Sequence, residues 1–254
     1  MNNRFIQQVK IDWEKIDISS YLRTIPALQF KEGIEFTKNV TFFVGENGSG
    51  KSTLLEAIAV AYGFSAEGGS RNYTFSTYDS HSQLYKAILL ARGWLKPSWS
   101  YFLRAESFYS VASKTEEYRK DSAQPENIYY SQFGGKSFHH QSHGESFLAL
   151  AQGSFRAGGL YLLDEPEAAL SPQRQLTLLL EIHRLAKQGA QFIIASHSPI
   201  LLGIPDAQIL SFDGGAIHEC EYKETESYQV TEMFINNRKY FLKRLLEDNE
   251  EERE

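Results

Sequence analysis

A glycine-rich run between two apolar patterns constrains the fold of this chain more than any other feature. The run reads Gly45-Glu46-Asn47-Gly48-Ser49-Gly50-Lys51-Ser52-Thr53. An apolar stretch at 41–44 precedes it, and leucine, isoleucine and alanine recur at helical spacing through 51–62. In a strand, loop and helix of this kind, backbone N–H groups and the positive end of the helix surround an anion. The sequence therefore predicts a buried strand, a phosphate-binding loop and a helix, and a plain glycine-rich surface turn is the alternative.

Each residue type in this run suits a separate task in holding a nucleoside triphosphate. The glycines let the backbone turn inward around the phosphates, and Lys51 can reach the β- and γ-phosphates. The Ser52 hydroxyl can bind Mg²⁺. We therefore expect all nine residues, Gly45, Glu46, Asn47, Gly48, Ser49, Gly50, Lys51, Ser52 and Thr53, to form the nucleotide-binding loop.

Two acidic residues follow a second apolar strand pattern, Leu160-Tyr161-Leu162-Leu163. Asp164 comes at the end of this pattern, and ligands of open α/β sheets bind at the carboxyl ends of the strands. A carboxylate in that place can hold Mg²⁺. Glu165 lies one residue further along, where it can orient or deprotonate a water molecule aimed at the γ-phosphate. The pair predicts a hydrolytic site shared with the phosphate-binding loop.

Three further short motifs lie in a fixed order with the loop and the acidic pair. They are Gln141-Ser142-His143-Gly144-Glu145-Ser146, Ala169-Leu170-Ser171-Pro172 and Ala195-Ser196-His197-Ser198. Together the five elements resemble the Walker A, signature, Walker B, D-loop and switch-histidine motifs of ATP-binding cassette (ABC) ATPases. The resemblance covers about residues 24–212. It is more specific for the small stand-alone bacterial ATPases that are relatives of the SMC and recombination-repair ATPases and carry a Ser-x-Gly-Glu signature.

This resemblance implies a fold and a set of ligands. The fold is α/β, a P-loop NTPase with an ABC/SMC-type ATPase head, in which helices flank a mainly parallel sheet and an N-terminal region has antiparallel strands. The ligands are ATP and Mg²⁺, with the metal on Ser52 and Asp164. Lys51, Glu165 and His197 would be the catalytic residues, and His197 would hydrogen-bond to the γ-phosphate. A purely structural histidine is the alternative for His197.

The signature motif implies a second subunit. Ser142, Gly144 and Glu145 would close the nucleotide site of a partner copy, so we expect an ATP-dependent homodimer. Compared with the transporter signature Leu-Ser-Gly-Gly-Gln, the chain keeps Ser142 and Gly144 but has Gln141, His143 and Glu145 at the other positions. This departure weakens the assignment to the transporter ATPases. The interval between the loop and the signature is also too short for a long SMC-type coiled-coil arm.

Two other motifs have plainer alternatives. The segment Arg104-Ala105-Glu106-Ser107 is the best match for a glutamine loop, with Glu106 in place of glutamine. His139, His140 and His143 suggest a metal site, but no cysteine or carboxylate accompanies them at ligand spacing, so His143 is better explained as part of the signature turn. The aromatic clusters lack interleaved basic residues and are better explained by packing than by base stacking.

Strand and helix patterns predict a single domain over residues 1–254. Strands are expected at 24–30 and 35–44 and a helix at 82–92, and about 64–138 is expected to form an inserted helical and loop subregion. From residue 160 onward strands alternate with helices, which indicates a parallel sheet. A hairpin near 209–220, a terminal helix from about Val230 and an acidic tail at 247–254 complete the expected chain.

Charge and composition limit the possible partners and locations. With 26 Lys and Arg against 32 Asp and Glu, the net charge of −6 gives the whole chain no general attraction to nucleic acid. The apolar runs are too short to span a bilayer, and the first residues lack a secretory signal. The lone Cys220 agrees with a reducing compartment. We therefore expect a cytoplasmic protein without direct membrane insertion.

Three function classes fit the motifs to different degrees. A nucleic-acid-linked repair or defence ATPase agrees best with the Ser-x-Gly-Glu signature, and its partner would be nucleic acid or an effector protein. The nucleotide-binding subunit of an ABC transporter is the second interpretation and requires a separate permease. A P-loop small-molecule kinase is the third, and the signature and the Glu165-Pro166 pair argue against it because a kinase needs an acceptor pocket.

Overall fold

Short apolar strands and amphipathic helices build two sheets in this computed structural model. It describes residues 4–70, 82–104, 148–149, 151 and 153–251. The strands are β1 (Ile6–Ile11), β2 (Ile34–Glu35), β3 (Val40–Val44), β4 (Gly69–Ser70), β5 (Ile88–Arg92), β6 (Ser100–Arg104), β7 (Leu160–Asp164), β8 (Gln191–Ala195), β9 (Gln208–Ser211) and β10 (His218–Glu219). The helices whose full bounds lie within the described residues are α1 (Lys51–Tyr62), α2 (Pro172–Lys187) and α3 (Glu226–Glu251).

The larger sheet carries the predicted parallel core. Its strand order is β10-β9-β3-β8-β7-β6-β4, and the five inner strands from β9 to β6 are parallel, with an antiparallel strand at each edge. Every residue of β3, β7 and β8 is buried, as their continuous apolar sequences predict for strands covered on both faces. The register pairs Phe43 with Ala195 and Asp164 with Ala195. The carboxyl ends of β3, β8 and β7 therefore lie side by side.

Helices cover the two faces of this sheet and form two apolar cores. Successive strand residues point to opposite faces, so Phe43 packs in the core with α1 and Phe42 in the core with α2. In the second core the rings of Tyr161 and Phe192 stack with centroids 4.8 Å apart. Burial raises the pKa of Tyr161 to about 12, while its hydroxyl donates to the Arg156 carbonyl. The expected α/β architecture with a mainly parallel sheet is confirmed.

The N-terminal antiparallel region is present, but it uses other strands than we predicted. β1 pairs with both β2 and β5 in a three-stranded antiparallel sheet. Residues 24–30 are not a strand, because they lie in the 3₁₀ turns Tyr21–Thr24 and Pro26–Leu28. Pro26 has no N–H to give to a strand ladder, and the Ser20 hydroxyl starts the first turn by accepting from the Leu22 N–H. The predicted strand 35–44 is divided between β2 and β3, which belong to different sheets.

The predicted helix at 82–92 is wrong. The segment forms a short 3₁₀ turn, Gln83–Lys86, and then strand β5. Pairing with β1 aligns Ile88 with Ile11 and Leu90 with Val9, and this tertiary pairing outweighs the local apolar run. Within 64–138, β4, β5 and β6 are parts of the two sheets, and residues 71–81 and 105–138 lie outside the described residues.

The remaining helical predictions agree with the structure. Helix α1 occupies the predicted residues, and α2 begins with Pro172 after Ser171. The predicted C-terminal hairpin corresponds to β9 and β10, and α3 begins at Glu226, slightly before the expected position. No helix within the described ranges is long and apolar enough to cross a membrane.

Candidate active site

The glycine-rich loop joins the buried end of β3 to the first turn of α1. Gly50 precedes the helix with a φ of 101°, a left-handed conformation that suits glycine. A Cβ atom at Gly50 would lie 2.9 Å from Cγ2 of Ile25, so the close packing of the 3₁₀ turns also requires glycine here. No side chain in the described structure caps the start of α1. The N–H groups of its first turn can therefore donate to an anion held in the loop.

Lys51 is folded back into this loop. Its side chain is only 4% exposed, and Nζ donates to the carbonyl oxygens of Gly45 at 2.6 Å and Glu46 at 2.7 Å. Burial lowers the pKa of Lys51, while the carboxylates of Asp213 and Glu165 act in the opposite direction. An ammonium group thus lies against the backbone of the loop, where it can meet phosphate oxygens.

A hydroxyl and a carboxylate meet beside the loop. The Ser52 hydroxyl donates to Oδ1 of Asp164 at 2.8 Å, and Asp164 is buried at the carboxyl end of β7. Arg104, at the end of the neighbouring β6, has Nε 3.8 Å from Oδ2 of Asp164. Oxygen ligands of this kind fit Mg²⁺. Among the described residues no group of three or more His, Cys, Asp or Glu is arranged for a metal, so a cation here would also need nucleotide or water oxygens.

Glu165 has an unusual backbone conformation directly after β7. Its φ is 50°, which is uncommon for a residue other than glycine and costs on the order of 1 kcal/mol. Its N–H donates to the Ala195 carbonyl of β8 at 2.9 Å, and this bond holds the strained residue in place. The side chain lines an open depression together with Glu46, Asn47, His197 and Glu226. Such strain is frequent at functional sites. In this conformation Glu165 lies next to the phosphate-binding loop.

His197 follows β8 and reaches the same depression. The backbone N–H of His197 donates to Oε1 of Glu167 at 2.6 Å, and the Ser196 hydroxyl donates to the same oxygen at 2.9 Å. Burial raises the pKa of Glu167. Among the described residues, Nε2 of His197 is a buried ring nitrogen without a hydrogen-bond partner. This nitrogen can therefore exchange a hydrogen bond with a ligand in the depression.

Comparison with known proteins finds two family models and one curated relative that match this chain. One family model, described as "AAA domain", matches residues 18–130, and a second, described as "AAA domain, putative AbiEii toxin, Type IV TA system", matches residues 79–203. The curated protein "Ribose import ATP-binding protein RbsA" of Bacillus cereus is 25% identical over 246 residues, which are 87% of this chain and 47% of the relative. The chain thus spans about half the length of that relative.

Both family models describe an AAA domain, and together they match residues 18–203 of this chain. Among solved structures, this chain is similar to the SMC head domain from Thermotoga maritima, with 19% identity, a TM-score of 0.39 and coverage of 74% of this chain and 93% of that one. It is also similar to the ADP conformation of an ATP-binding cassette of an ABC transporter. That match has 18% identity, a TM-score of 0.42 and coverage of 74% and 82%.

The structure brings most of the predicted site residues together. The loop with Lys51 and Ser52 lies beside Asp164, and Glu165 and His197 share the adjoining depression. The signature residues Gln141, Ser142, His143, Gly144 and Glu145 lie outside the described residues, as do Glu106, His139 and His140. Their roles stay predictions from the sequence.

Sequence reasoning missed three acidic residues that support this site. Asp213 accepts a hydrogen bond from the Glu46 N–H at 2.9 Å, and Glu167 holds the turn around His197. Glu56 of α1 pairs with Arg104 at 2.5 Å. Asp164 ends β7 and Asp213 lies two residues beyond the end of β9 in the same sheet. This shared place at the carboxyl ends of parallel strands is the signal that could have revealed Asp213.

Proposed function

We propose that this protein is an ATPase that uses Mg²⁺ and forms an ATP-dependent homodimer, and that it acts in a nucleic-acid-linked repair or defence system. The observation that carries the chemistry is the 2.8 Å contact of Ser52 with Asp164 at the sheet edge that also holds Lys51, Glu165 and His197. The groups that we propose to bind phosphate, hold the metal and activate water thus lie where parallel sheets bind their ligands.

In this proposal the nucleotide phosphates lie in the loop formed by Gly45, Glu46, Asn47, Gly48, Ser49, Gly50, Lys51, Ser52 and Thr53. The free amides at the start of α1 donate to the phosphate oxygens. Lys51 exchanges its bonds to the Gly45 and Glu46 carbonyls for bonds to phosphate, so its charge stays where the anion binds.

Ser52 and Asp164 would hold Mg²⁺. Their oxygens already lie within hydrogen-bond distance of each other, and Asp164 is buried, which keeps the carboxylate in place. When bound, the ion neutralises negative charge on the phosphates. Arg104 would hold the second oxygen of Asp164 from the other side, because its Nε lies 3.8 Å away.

Hydrolysis requires a water molecule aimed at the γ-phosphate. The Glu165 carboxylate borders the depression beside the loop, so it can orient this water and accept its proton. The unpartnered Nε2 of His197, a feature of the described part of the chain, would hydrogen-bond to the γ-phosphate. Glu167 fixes the backbone of His197, so this histidine is held in place before the nucleotide arrives.

The partner subunit would complete the site. Ser142, Gly144 and Glu145 belong to the signature motif, and a serine hydroxyl and backbone amides at a helix start suit a γ-phosphate presented by another copy. ATP would therefore favour the closed dimer, and loss of the γ-phosphate would favour opening.

Two observations bear on the biological system. The second AAA model carries a toxin–antitoxin description, which favours a defence role, as does the Ser-x-Gly-Glu signature. The relative named as a ribose import ATP-binding protein favours the alternative, the nucleotide-binding subunit of a transporter. This chain covers 47% of that relative, so the import activity belongs to a longer protein and enters here as the alternative proposal.

Metal dependence tests the chemical part of this proposal. Phosphate release should be measured against Mg²⁺ concentration for wild type, Ser52→Ala and Asp164→Asn, with Glu32→Gln, an exposed acid before β2, as a matched acid control. We expect both site variants to need more Mg²⁺ or to lose turnover, and the control to behave as wild type. Unchanged metal dependence in both site variants would contradict the assignment.

Binding to nucleic acid tests the proposed biological system. Labelled duplex DNA and RNA should be titrated against Glu165→Gln, with and without ATP, at several salt concentrations. Because the net charge is −6, we expect salt-sensitive binding only in the ATP-bound dimer. Absence of binding in both states, together with a permease that co-purifies from native cells, would favour the transporter alternative.

A further inference from the structure

The C-terminal hairpin contributes an acid to the nucleotide loop. Asp213 follows β9 and lies against the first residues of the loop, where its Oδ1 accepts a hydrogen bond from the Glu46 N–H at 2.9 Å. The two residues are 167 positions apart in the sequence. Strand β9 pairs with β3 in parallel, with Val44 opposite Ser211, so the two strands end together and bring Asp213 to the loop.

Asp213 lies against the first glycine of the loop. A Cβ atom on Gly45 would lie 2.7 Å from Oδ1 of Asp213, so one of the two would have to shift, and the φ of 136° at Gly45 is a conformation that other residues rarely adopt. The carboxylate thus occupies the space that a side chain at Gly45 would fill. On the other side of the same segment, Lys51 binds the carbonyls of Gly45 and Glu46. The first peptide units of the loop are therefore held between a carboxylate and an ammonium group.

The carboxylate itself is held in a fixed position. The Ser211 hydroxyl donates to Oδ2 of Asp213 at 3.3 Å and accepts from the Asp213 N–H at 3.2 Å. The Phe212 N–H donates to the Val44 carbonyl at 2.9 Å, which ties the base of the hairpin to the strand that leads into the loop. These bonds limit the movement of Asp213 relative to the loop that it contacts.

We infer that Asp213 is a positioning residue for ATP, which holds Gly45 and Glu46 in the conformation that receives the phosphates. This inference rests on the proposed nucleotide site at residues 45–53. A carboxylate beside a phosphate site repels the ligand, so its charge alone would weaken ATP binding. Its hydrogen bond to Glu46 strengthens ATP binding, because a loop that is ordered before ATP arrives loses less conformational freedom when ATP binds. The two effects can be separated, since Asn keeps the acceptor oxygen and removes the charge.

The test compares Asp213→Ala and Asp213→Asn in the full chain. ATP dissociation constants are measured by calorimetry, and KM and kcat by phosphate release. Loss of a hydrogen bond to a charged group should weaken ATP binding about tenfold in Asp213→Ala and raise KM equally, with kcat changed by less than about twofold. Asp213→Asn should bind ATP as tightly as wild type or more tightly. Glu219→Ala, an exposed acid on β10 of the same hairpin, is the matched control for loss of charge and should match wild type.

The arms of this experiment separate the inference from the proposed site. If wild type binds ATP and Lys51→Ala does not, the site is supported independently of Asp213. Unchanged ATP affinity in Asp213→Ala would then overturn the inference alone. Equal weakening in Asp213→Asn and Asp213→Ala would also overturn it, because charge rather than the hydrogen bond would be responsible. Lys51→Ala binding ATP as wild type does would instead count against the proposed site. Thermal unfolding checks that each variant is folded. If Asp213→Ala does not fold, Asp213→Asn still tests the inference, because weaker ATP binding by that variant would overturn it.

Discussion

The Ser52 hydroxyl donates a hydrogen bond to the Asp164 carboxylate at 2.8 Å, although 112 positions separate the two residues. Ser52 lies in the first turn of α1 and Asp164 at the end of β7. Strand β8 lies between β3 and β7, so the loop after β3 reaches across one strand to meet Asp164. This contact joins two sequence motifs into one candidate site, and the predictions below test the residues around it.

Replacing Lys51 by alanine should abolish turnover without unfolding the protein. The ammonium group is buried among loop carbonyls and is not part of either apolar core, so its loss removes charge from the phosphate site. We expect turnover to fall about 100-fold or more, as for loss of one preorganised donor. Turnover and thermal unfolding are measured together, with Lys38→Ala, an exposed lysine before β3, as control. Near-normal turnover in Lys51→Ala would refute the phosphate-loop assignment.

The Glu165→Gln variant should bind ATP but hydrolyse it slowly. Glutamine keeps the size of the side chain and cannot accept a proton from water, so turnover should fall by about two orders of magnitude or more. Because ATP then persists, the closed dimer should accumulate. Size-exclusion chromatography with light scattering measures the mass with ADP and with Mg-ATP. A mass that stays monomeric with saturating Mg-ATP would contradict the dimer mechanism.

Glu167 should make stability depend on pH in a defined direction. Burial raises its pKa above the usual 4.5 in the folded protein, so folding favours the protonated form. The contribution of Glu167 to the free energy of unfolding is therefore fully present below pH 4.5. It is lost as the pH rises through the raised pKa of Glu167. Glu167→Gln cannot titrate, so its unfolding free energy minus that of wild type should increase with pH. Urea unfolding from about pH 4 to pH 8 measures this difference, and a flat profile would contradict the raised pKa.

Mixing two inactive variants should restore activity if the site is shared between subunits. Lys51→Ala damages the loop of its own chain, whereas Ser142→Arg would block the site of the partner. In a mixed dimer, the intact loop of the Ser142→Arg chain would face the intact signature of the Lys51→Ala chain. One composite site is then complete, and phosphate release should recover in part.

The same mixtures should be examined for ATP-induced dimers, because a dimer that couples its two sites strictly can form without regaining turnover. Each variant alone and each mixing ratio are compared by light scattering with Mg-ATP, after thermal unfolding has shown that both proteins are folded. If neither activity nor dimer formation recovers at any ratio, Ser142 does not act across the interface.

Local patterns were sufficient for the elements that build the site. The loop at 45–53, helix α1 and the buried strands β7 and β8 all follow from apolar runs and glycine spacing, because a parallel core strand needs apolar side chains on both faces. The errors fall in the N-terminal sheet. There β5 is a strand because it pairs with β1, which is distant in the sequence, and no local pattern reports that pairing.

The sequence by itself determined which motifs the chain carries, and these motifs predict that Lys51, Ser52, Asp164, Glu165 and His197 bind and hydrolyse a nucleotide. Only the tertiary structure decided which residues hold those groups in position. Asp213 reaches the loop because β9 pairs with β3, and Glu167 reaches the turn at His197 because β7 pairs with β8. A motif is a local property of the chain, whereas such contacts depend on strand order and register, which are set by packing of the whole sheet.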